Sequence, residues 1–428
     1  MKKLLLAVFS IATTFSLYAQ REVPQERMEQ IYEEVKTPYK YGLAVAPADN
    51  YHKIDCPTVF RQGDKWLMTY VVYNGKGGTD GRGYETWIAE SDNLLEWRTL
   101  GRVLSYRDGK WDCNQRGGFP ALPDMEWGGS YELQTYKGRH WMTYIGGEGT
   151  GYEAVKAPLY VGLAWTKGDI STAHEWESMD KPILSIHDKD AQWWEKLTQY
   201  KSTVYWDKDK TLGAPFVMYY NAGGRHPETD LKGERVGIAL SNDMKTWKRY
   251  SGNPVFAHEA DGTITGDAHI QKMGDVYVMF YFSAFEPSRK YKAFNTFAAS
   301  YDLVNWTDWK GADLIIPSKN YDELFAHKSY VVKHDGVVYH FYCAVNNAEQ
   351  RGIAIATSKS MGRSAVRFPV PESKNRRQIM TLNEGWKTWI TEATHLKGNF
   401  MMPAKTVNIP HNWDDYYGYR QSTHGNLH

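Results

Sequence analysis

Four acidic residues stand where short loops run into aromatic, alternating segments. They are Asp55 in His52-Lys53-Ile54-Asp55-Cys56-Pro57, Glu132 in Tyr131-Glu132-Leu133, Glu195 after Trp193-Trp194, and Asp267 in Thr265-Gly266-Asp267-Ala268-His269. Paired carboxyl groups suit hydrolysis of a glycosidic bond: one protonates the departing oxygen and the other activates water or attacks directly. A third can tune the acid's proton affinity. Asp55 is the candidate base, because Pro57 stiffens the backbone just after it. Asp112, Trp127, Trp193, Lys201, His269, His327 and Lys328 occupy similar positions and are candidates for substrate binding. Indole faces there can stack on sugar C–H faces, and His327 or His269 can serve as acid or ligand. Each has a plainer alternative: Asp55 as a turn cap, Glu132 as a strand residue paired with Lys201, Glu195 as a solvated loop charge. No Cys/His spacing suggests a metal, and no phosphate or dinucleotide fingerprint opens a helix, so no cofactor is expected.

These residues need elements that bring them together, and a repeat supplies them. A strand, a turn and an aromatic strand recur as PTVFRQGDKWLMTYVVY from Pro57, ELQTYKGRHWMTYIGG from Glu132 and STVYWDKDKTLGAPFVMYYNAGG from Ser202. They recur again as AHIQKMGDVYVMFYFSA from Ala268 and SYVVKHDGVVYHFYCAV from Ser329. Each pair is followed by a third strand (YETWIAES, LYVGLAWT, RVGIALSN, NTFAASYD, RGIAIATS). Four of these lead into turns ending at Trp97, Trp176, Trp247 and Trp306, and a fourth strand follows. Five four-stranded units predict an all-β fold, a five-bladed β-propeller over residues 50–370. In a propeller the first strand of each blade lines the channel. The loops before these strands, with the candidates they carry, therefore face one mouth.

The ends differ from the repeat. Lys2 and Lys3, the apolar run from Leu4 to Leu17 and Leu17-Tyr18-Ala19 make residues 1–19 a signal peptide, so the protein is expected to be secreted or periplasmic. Residues 20–49 form a lead-in with a short N-terminal helix, since Met28, Ile31, Tyr32 and Val35 share one helical face. Near FPVPESKNRR the blade pattern stops, and residues 371–428 form a linker and a partial C-terminal β segment. A net charge of +1 gives no pull toward nucleic acid, and no later stretch is apolar enough for a membrane anchor. The 17 Trp and 30 Tyr suit β-sheet cores and sugar-stacking surfaces alike. Of three cysteines, Cys343 sits in an apolar run, whereas Cys56 and Cys113 precede neighbouring inner strands and are candidates for a disulfide.

DCPTVF, the Trp-ending turns at Trp97 and Trp306, and GDAHIQKMGDVYVMFYF resemble the five-bladed propeller glycosidases of glycoside hydrolase families 43, 62, 32, 68, 117 and 130. The resemblance spans about residues 30–365 and implies a blade 1 Asp base, a blade 2 Asp modulator and a blade 3 Glu acid. Asp55 matches the base. Blade 2 has no Asp at its strand start, leaving Asp112 or Glu132, and blade 3 has Tyr200-Lys201-Ser202 with Glu195 upstream. Family 117-like members use a His as acid, which keeps His327 and His269 open. The tail, NEGWKTW with VNIPHNWDDYYGY and HGNLH, is similar to the opening of the jelly-roll sugar-binding domain of family 2 β-galactosidases. This implies a fused or truncated family 2-like module. The resulting expectation is an exported glycoside hydrolase acting on a plant or algal type oligosaccharide or polysaccharide, by inversion. A non-catalytic carbohydrate-binding propeller and a glycoside phosphorylase are the alternatives.

Overall fold

The computed structural model describes residues 22–74, 81–152, 157–370, 386–388 and 405–407. The leader at 1–19 and the family 2-like motifs, apart from two short tail strands, lie outside the described residues. The chain divides into two units, Met1–Val370 and Pro371–His428.

Helix α1 (Gln25–Val35) follows Pro24 and buries Met28, Ile31 and Val35. Tyr32 stacks on Trp309 with ring centroids 5.0 Å apart, which docks the helix on the sheets. Strand β1 (Tyr39–Val45) comes next. Blade I holds β2 (His52–Gln62), β3 (Lys65–Asn74), β4 (Glu85–Ser91) and β5 (Arg98–Leu104). Blade II holds β6 (Gln115–Pro120), β7 (His140–Gly147), β8 (Tyr160–Thr166) and β9 (Glu177–Ser178). Blade III holds β10 (Thr198–Trp206), β11 (Phe216–Arg225), β12 (Lys232–Ser241) and β13 (Lys248–Arg249). Blade IV holds β14 (Thr263–Met273), β15 (Val276–Ala284), β16 (Ala293–Ser300) and β17 (Thr307–Asp308). Blade V holds β18 (Phe325–His334), β19 (Val337–Val345) and β20 (Arg351–Thr357). Within each blade the strands form an antiparallel meander, and their apolar faces pack on neighbouring blades.

The turns to Trp have one construction. Asn93, Asp243 and Asp302 each accept from two backbone N–H groups ahead of them through Oδ1. The next residue, Leu94, Met244 or Leu303, takes a left-handed conformation at φ 65–70°. A short acidic or amide side chain that mimics a backbone turn explains the spacing.

Three features differ from the sequence expectation. The outer strand of blade V is β1, paired antiparallel to β20 from Tyr39↔Thr357 to Val45↔Ile353, so the lead-in is part of the propeller. The segment after β20 contains Pro369 and contributes only a single bridge, Leu43↔Val366, because proline cannot donate to a ladder. In blade II the inner strand is Gln115–Pro120, not the segment from Glu132. A Cβ at Gly118 would lie 2.4 Å from Met142 Sδ, so close packing demands glycine there and erases the apolar alternation. Finally, blades III and IV join into one eight-stranded sheet through a short parallel pairing, Gly233↔Thr263 and Glu234↔Ile264.

The tail unit contains β21 (Trp386–Thr388) paired antiparallel with β22 (Lys405–Val407).

Candidate active site

Four of the five inner strands break register at the same place. The bulges fall between Asp55 and Thr58 in β2, Gln199 and Ser202 in β10, Gly266 and His269 in β14, and His327 and Tyr330 in β18. In each, extra residues on the inner strand lack a partner opposite, which re-aims side chains. Cys56, Asp267 and Lys328 hold φ of 52°, 57° and 61°. Non-glycine residues in this region store of order 1–3 kcal/mol of strain each, a cost that concentrates at functional sites. Strand β6 keeps an unbroken register with β7, and its residues do not line the cavity the bulges surround.

That cavity measures about 320 Å³. Its ionisable lining includes Lys201, Glu234, Asp267, His327, Lys328 and Arg351, with Asn221 and Cys56 between them. Tyr84, Tyr152, Tyr200, Phe282, Phe285 and Phe325 supply aromatic walls.

Asp55 lies behind this lining and is 1% exposed. Its Oδ2 accepts from Lys328 Nζ at 2.8 Å and from Arg351 Nη1 at 2.7 Å, and its Oδ1 accepts from the Cys56 N–H at 2.9 Å. Burial alone would raise its carboxyl, but Lys328 and Arg351 outweigh burial and hold it far below the usual range. Arg351 Nη1 also donates to the Tyr152 hydroxyl at 3.0 Å.

Asp267 is the contrasting group. It lines the cavity, and Oδ2 has no hydrogen-bond partner. Lys201 Nζ stands 3.5 Å away, also without a hydrogen bond. Burial pushes the Asp267 carboxyl up, and Lys201 and Lys328 offset that only in part. The Asp267 N–H donates to Asn221 Oδ1 at 3.3 Å, while Asn221 Nδ2 donates to Glu234 Oε2 at 3.0 Å. One carboxamide thus sits between two carboxylate residues. Gly266 makes room for it, since a Cβ there would lie 2.6 Å from Asn221 Nδ2.

His327 meets the Cys343 carbonyl through Nδ1 at 3.2 Å, so Nδ1 carries the proton and Nε2 is the acceptor. Burial pushes its pKa down to about 3, which makes it a neutral ligand at ordinary pH and removes it as an acid. His269 does not line the cavity. Its Nδ1 accepts from the Val331 N–H at 3.2 Å and its ring stacks on Tyr330 at 3.8 Å.

The remaining candidates lie elsewhere. Glu195 is buried but fully bonded: Oε1 accepts from Arg249 Nε at 2.6 Å and Gln192 N–H at 3.0 Å, Oε2 from Gln199 Nε2 at 2.8 Å and the Tyr220 hydroxyl at 3.2 Å. Asp112 is bonded to Arg107 at 2.8 Å and to Tyr144 at 2.8 Å, and pairs with Arg116. Glu132 is exposed and borders a groove with Asp124 and Lys272. Lys272 is near the C-terminal end of β14, whose N-terminal half carries Asp267, so that groove is remote from the cavity. Lys201 pairs with Asp267 rather than Glu132. Trp127 donates to Glu34 at 2.8 Å beside α1, and Trp193 lies under the Arg235 guanidinium at 4.8 Å. The expected Cys56–Cys113 bridge is not formed, and all three cysteines are free.

Asp55, His327 and Cys343 bring donor atoms within 4.8 Å of one another. Two cations already occupy Asp55 Oδ2 and would repel a metal ion, so the group does not suit one.

Glu234, Arg351, Asn221 and Tyr152 were not anticipated. Glu234 and Arg351 lie in the opening turns of the third strands of their blades. First and third strands of an antiparallel meander run the same way, so third-strand starts reach the same mouth as first-strand starts. Charged residues before VGIAL and GIAIA carried that signal.

No protein-family model and no curated protein matches the sequence. Solved structures do. One described as a complex of BT0996 with RGII and one described as "Glycoside hydrolase" are each 95% identical to this sequence, covering 82% of it and 100% of their own length, with a TM-score of 0.81. More distant are Zg3597, a family 117 glycoside hydrolase of the marine bacterium Zobellia galactanivorans (14% identity, 77% of this sequence and 92% of that one, TM-score 0.53), and a structure from the GH130 family of mannoside phosphorylases and glycoside hydrolases (13%, 77% and 96%, TM-score 0.53). These two share the fold. Identity of 95% across the whole of a glycoside hydrolase structure, joined to a cavity walled by carboxylates and aromatic rings, shows that the protein belongs to the glycoside hydrolases.

Proposed function

We propose that the cavity takes a terminal sugar of the polysaccharide RGII and that its glycosidic bond is cleaved with inversion. Asp267 activates water and Glu234 protonates the departing oxygen. The observation that carries this reading is the free Oδ2 of Asp267, buried and facing the cavity, with Glu234 on the far side of Asn221. A base works best when its proton affinity approaches the working pH. Burial moves Asp267 in that direction, whereas Asp55 is held as a weak base with its oxygens already engaged. Asp55 therefore serves to fix Lys328 and Arg351. The substrate class rests on the near-identical structure named as an RGII complex. The cavity is at the small end of the roughly 300–1,000 Å³ usual for ligand sites, which suits a short sugar segment. A polysaccharide substrate outside the cell agrees with export through the leader at 1–19.

The test is hydrolysis of RGII oligosaccharides by wild type, Asp267→Asn and Glu234→Gln, with proton NMR of the first anomer released. Both variants lose about 10²–10⁴-fold in turnover, and wild type releases the inverted anomer. Turnover in Asp267→Asn close to wild type, or a retained anomer, overturns the assignment.

A further inference from the structure

Asp267 is faced from every side by ionisable groups. Lys201 reaches it from β10, Lys328 from β18, Asp55 and Cys56 from β2, and Glu234 through Asn221. Lys328 is committed to Asp55 at 2.8 Å. Lys201 has no such commitment. Its Nζ is 3.5 Å from Asp267 Oδ2, outside hydrogen-bond geometry, and its side chain is 1% exposed. The ammonium lies 5.4 Å from the Phe119 ring centroid and 6.0 Å from that of Tyr330.

A buried ammonium without a hydrogen bond is a costly arrangement, and apolar packing alone would favour methionine in the same space. The bulge in β10 places the charge there regardless. Its geometry differs from that around Asp55, where Lys328 and Arg351 both take lone pairs of Oδ2. A cation at 3.5 Å acts on a carboxylate through its field yet leaves the oxygen open to a further donor.

We propose that Lys201 is a positioning residue for Asp267, supplying charge to its carboxylate while leaving Oδ2 free to accept a proton from the attacking water. This rests on the reading of Asp267 as the base. Burial favours the protonated acid, and Lys201 opposes burial, so the base stays available at lower pH than it otherwise would.

Two measurements test this. The first is a carbon-13 NMR titration of the Asp267 carboxyl, identified by its loss in Asp267→Asn, in wild type, Lys201→Met and Lys201→Arg. The midpoint moves upward in Lys201→Met and stays near wild type in Lys201→Arg. The second is kcat/KM against pH on RGII oligosaccharides. Lys201→Met loses roughly 10-fold or more at the acid end and recovers toward wild type at the alkaline end. Melting temperatures confirm folding, and Lys201→Gln takes the place of Lys201→Met if the latter does not fold. An unmoved midpoint, or an equal loss of kcat/KM at every pH, overturns the proposal. If Asp267→Asn keeps its turnover, the base assignment fails while the titration still reads the coupling to Lys201, so the two failures are distinguishable.

Discussion

Glu195 before β10 and Asp267 within β14 are both buried carboxylates in neighbouring blades, and they differ in what their oxygens touch. Glu195 has four donors spread over two oxygens, one of them a guanidinium that also binds Asp188 and Asp190. Asp267 Oδ2 has none, although a lysine stands beside it. Burying a charge is tolerated when it is fully paired, so the first arrangement is what a scaffold requires. The second is one that stability alone does not explain, and it faces a cavity. Satisfaction of the oxygens, rather than burial or residue type, separates the two.

A pair of amide substitutions tests this contrast most severely. Asp267→Asn keeps shape and loses basicity, so kcat falls about 10²–10⁴-fold with little change in melting temperature. Glu195→Gln leaves Arg249 without its central counter-charge, and stability falls by about 3 kcal/mol while the folded fraction turns over normally. Kinetics and thermal melting on both proteins read the outcome. The reverse pattern, a stable but inactive Glu195→Gln and an unstable but active Asp267→Asn, would break the distinction.

Asp55 sharpens it through pH. Its carboxyl lies lower in the folded protein than in the unfolded one, so its stabilisation is fully present above the ordinary value of about 3.9 and is lost as pH falls below it. Asp267 has the opposite sign: its carboxyl is raised, so its contribution is present below the ordinary value and fades as pH rises. Wild type therefore loses stability on acidification below about pH 4. Asp55→Asn is less stable at pH 7, since Lys328 and Arg351 lose their counter-charge, and its acid limb is flatter. A variant with the same acid limb as wild type would remove Asp55 as its cause.

The five-unit meander was legible because apolar alternation and the Trp-ending turns repeat with residue types that force strands and Asx turns. Blade II shows the limit. Gly117 and Gly118 carry no pattern, while the more strand-like segment after Glu132 forms only isolated bridges before β7. Legibility of the site was more partial. Asp267, Lys201, His327 and Lys328 come together because bulges recur at one register, yet a bulge leaves no periodic trace. The saturation of Glu195 by Arg249 depends on a partner 54 residues away, which no local spacing encodes. Glu234 and Arg351 were readable in principle from strand direction.

Smaller effects are expected at the cavity's aromatic wall. Phe285 lines the cavity, is 51% exposed, holds φ at 58°, and meets Phe325 edge-on with centroids 6.0 Å apart. An exposed ring held in a strained backbone offers its face to a sugar. Phe285→Ala should raise KM about 5-fold, equivalent to about 1 kcal/mol, with kcat kept. An unchanged KM would remove Phe285 from binding.

The smallest effect belongs to Glu132, which separates the two ends of the channel. Its side chain is exposed, and the groove it borders is reached from the end of β14 opposite the bulge. Nothing there resembles the unpartnered couple of Lys201 and Asp267. Glu132→Gln removes one solvated charge whose neighbours include both Asp124 and Lys272, so attraction and repulsion largely cancel. Stability should stay within about 0.5 kcal/mol of wild type and turnover within about 2-fold. A loss of turnover comparable to that of Asp267→Asn would place chemistry at the wrong end of the molecule for this account, because no substrate held in the upper cavity reaches Glu132.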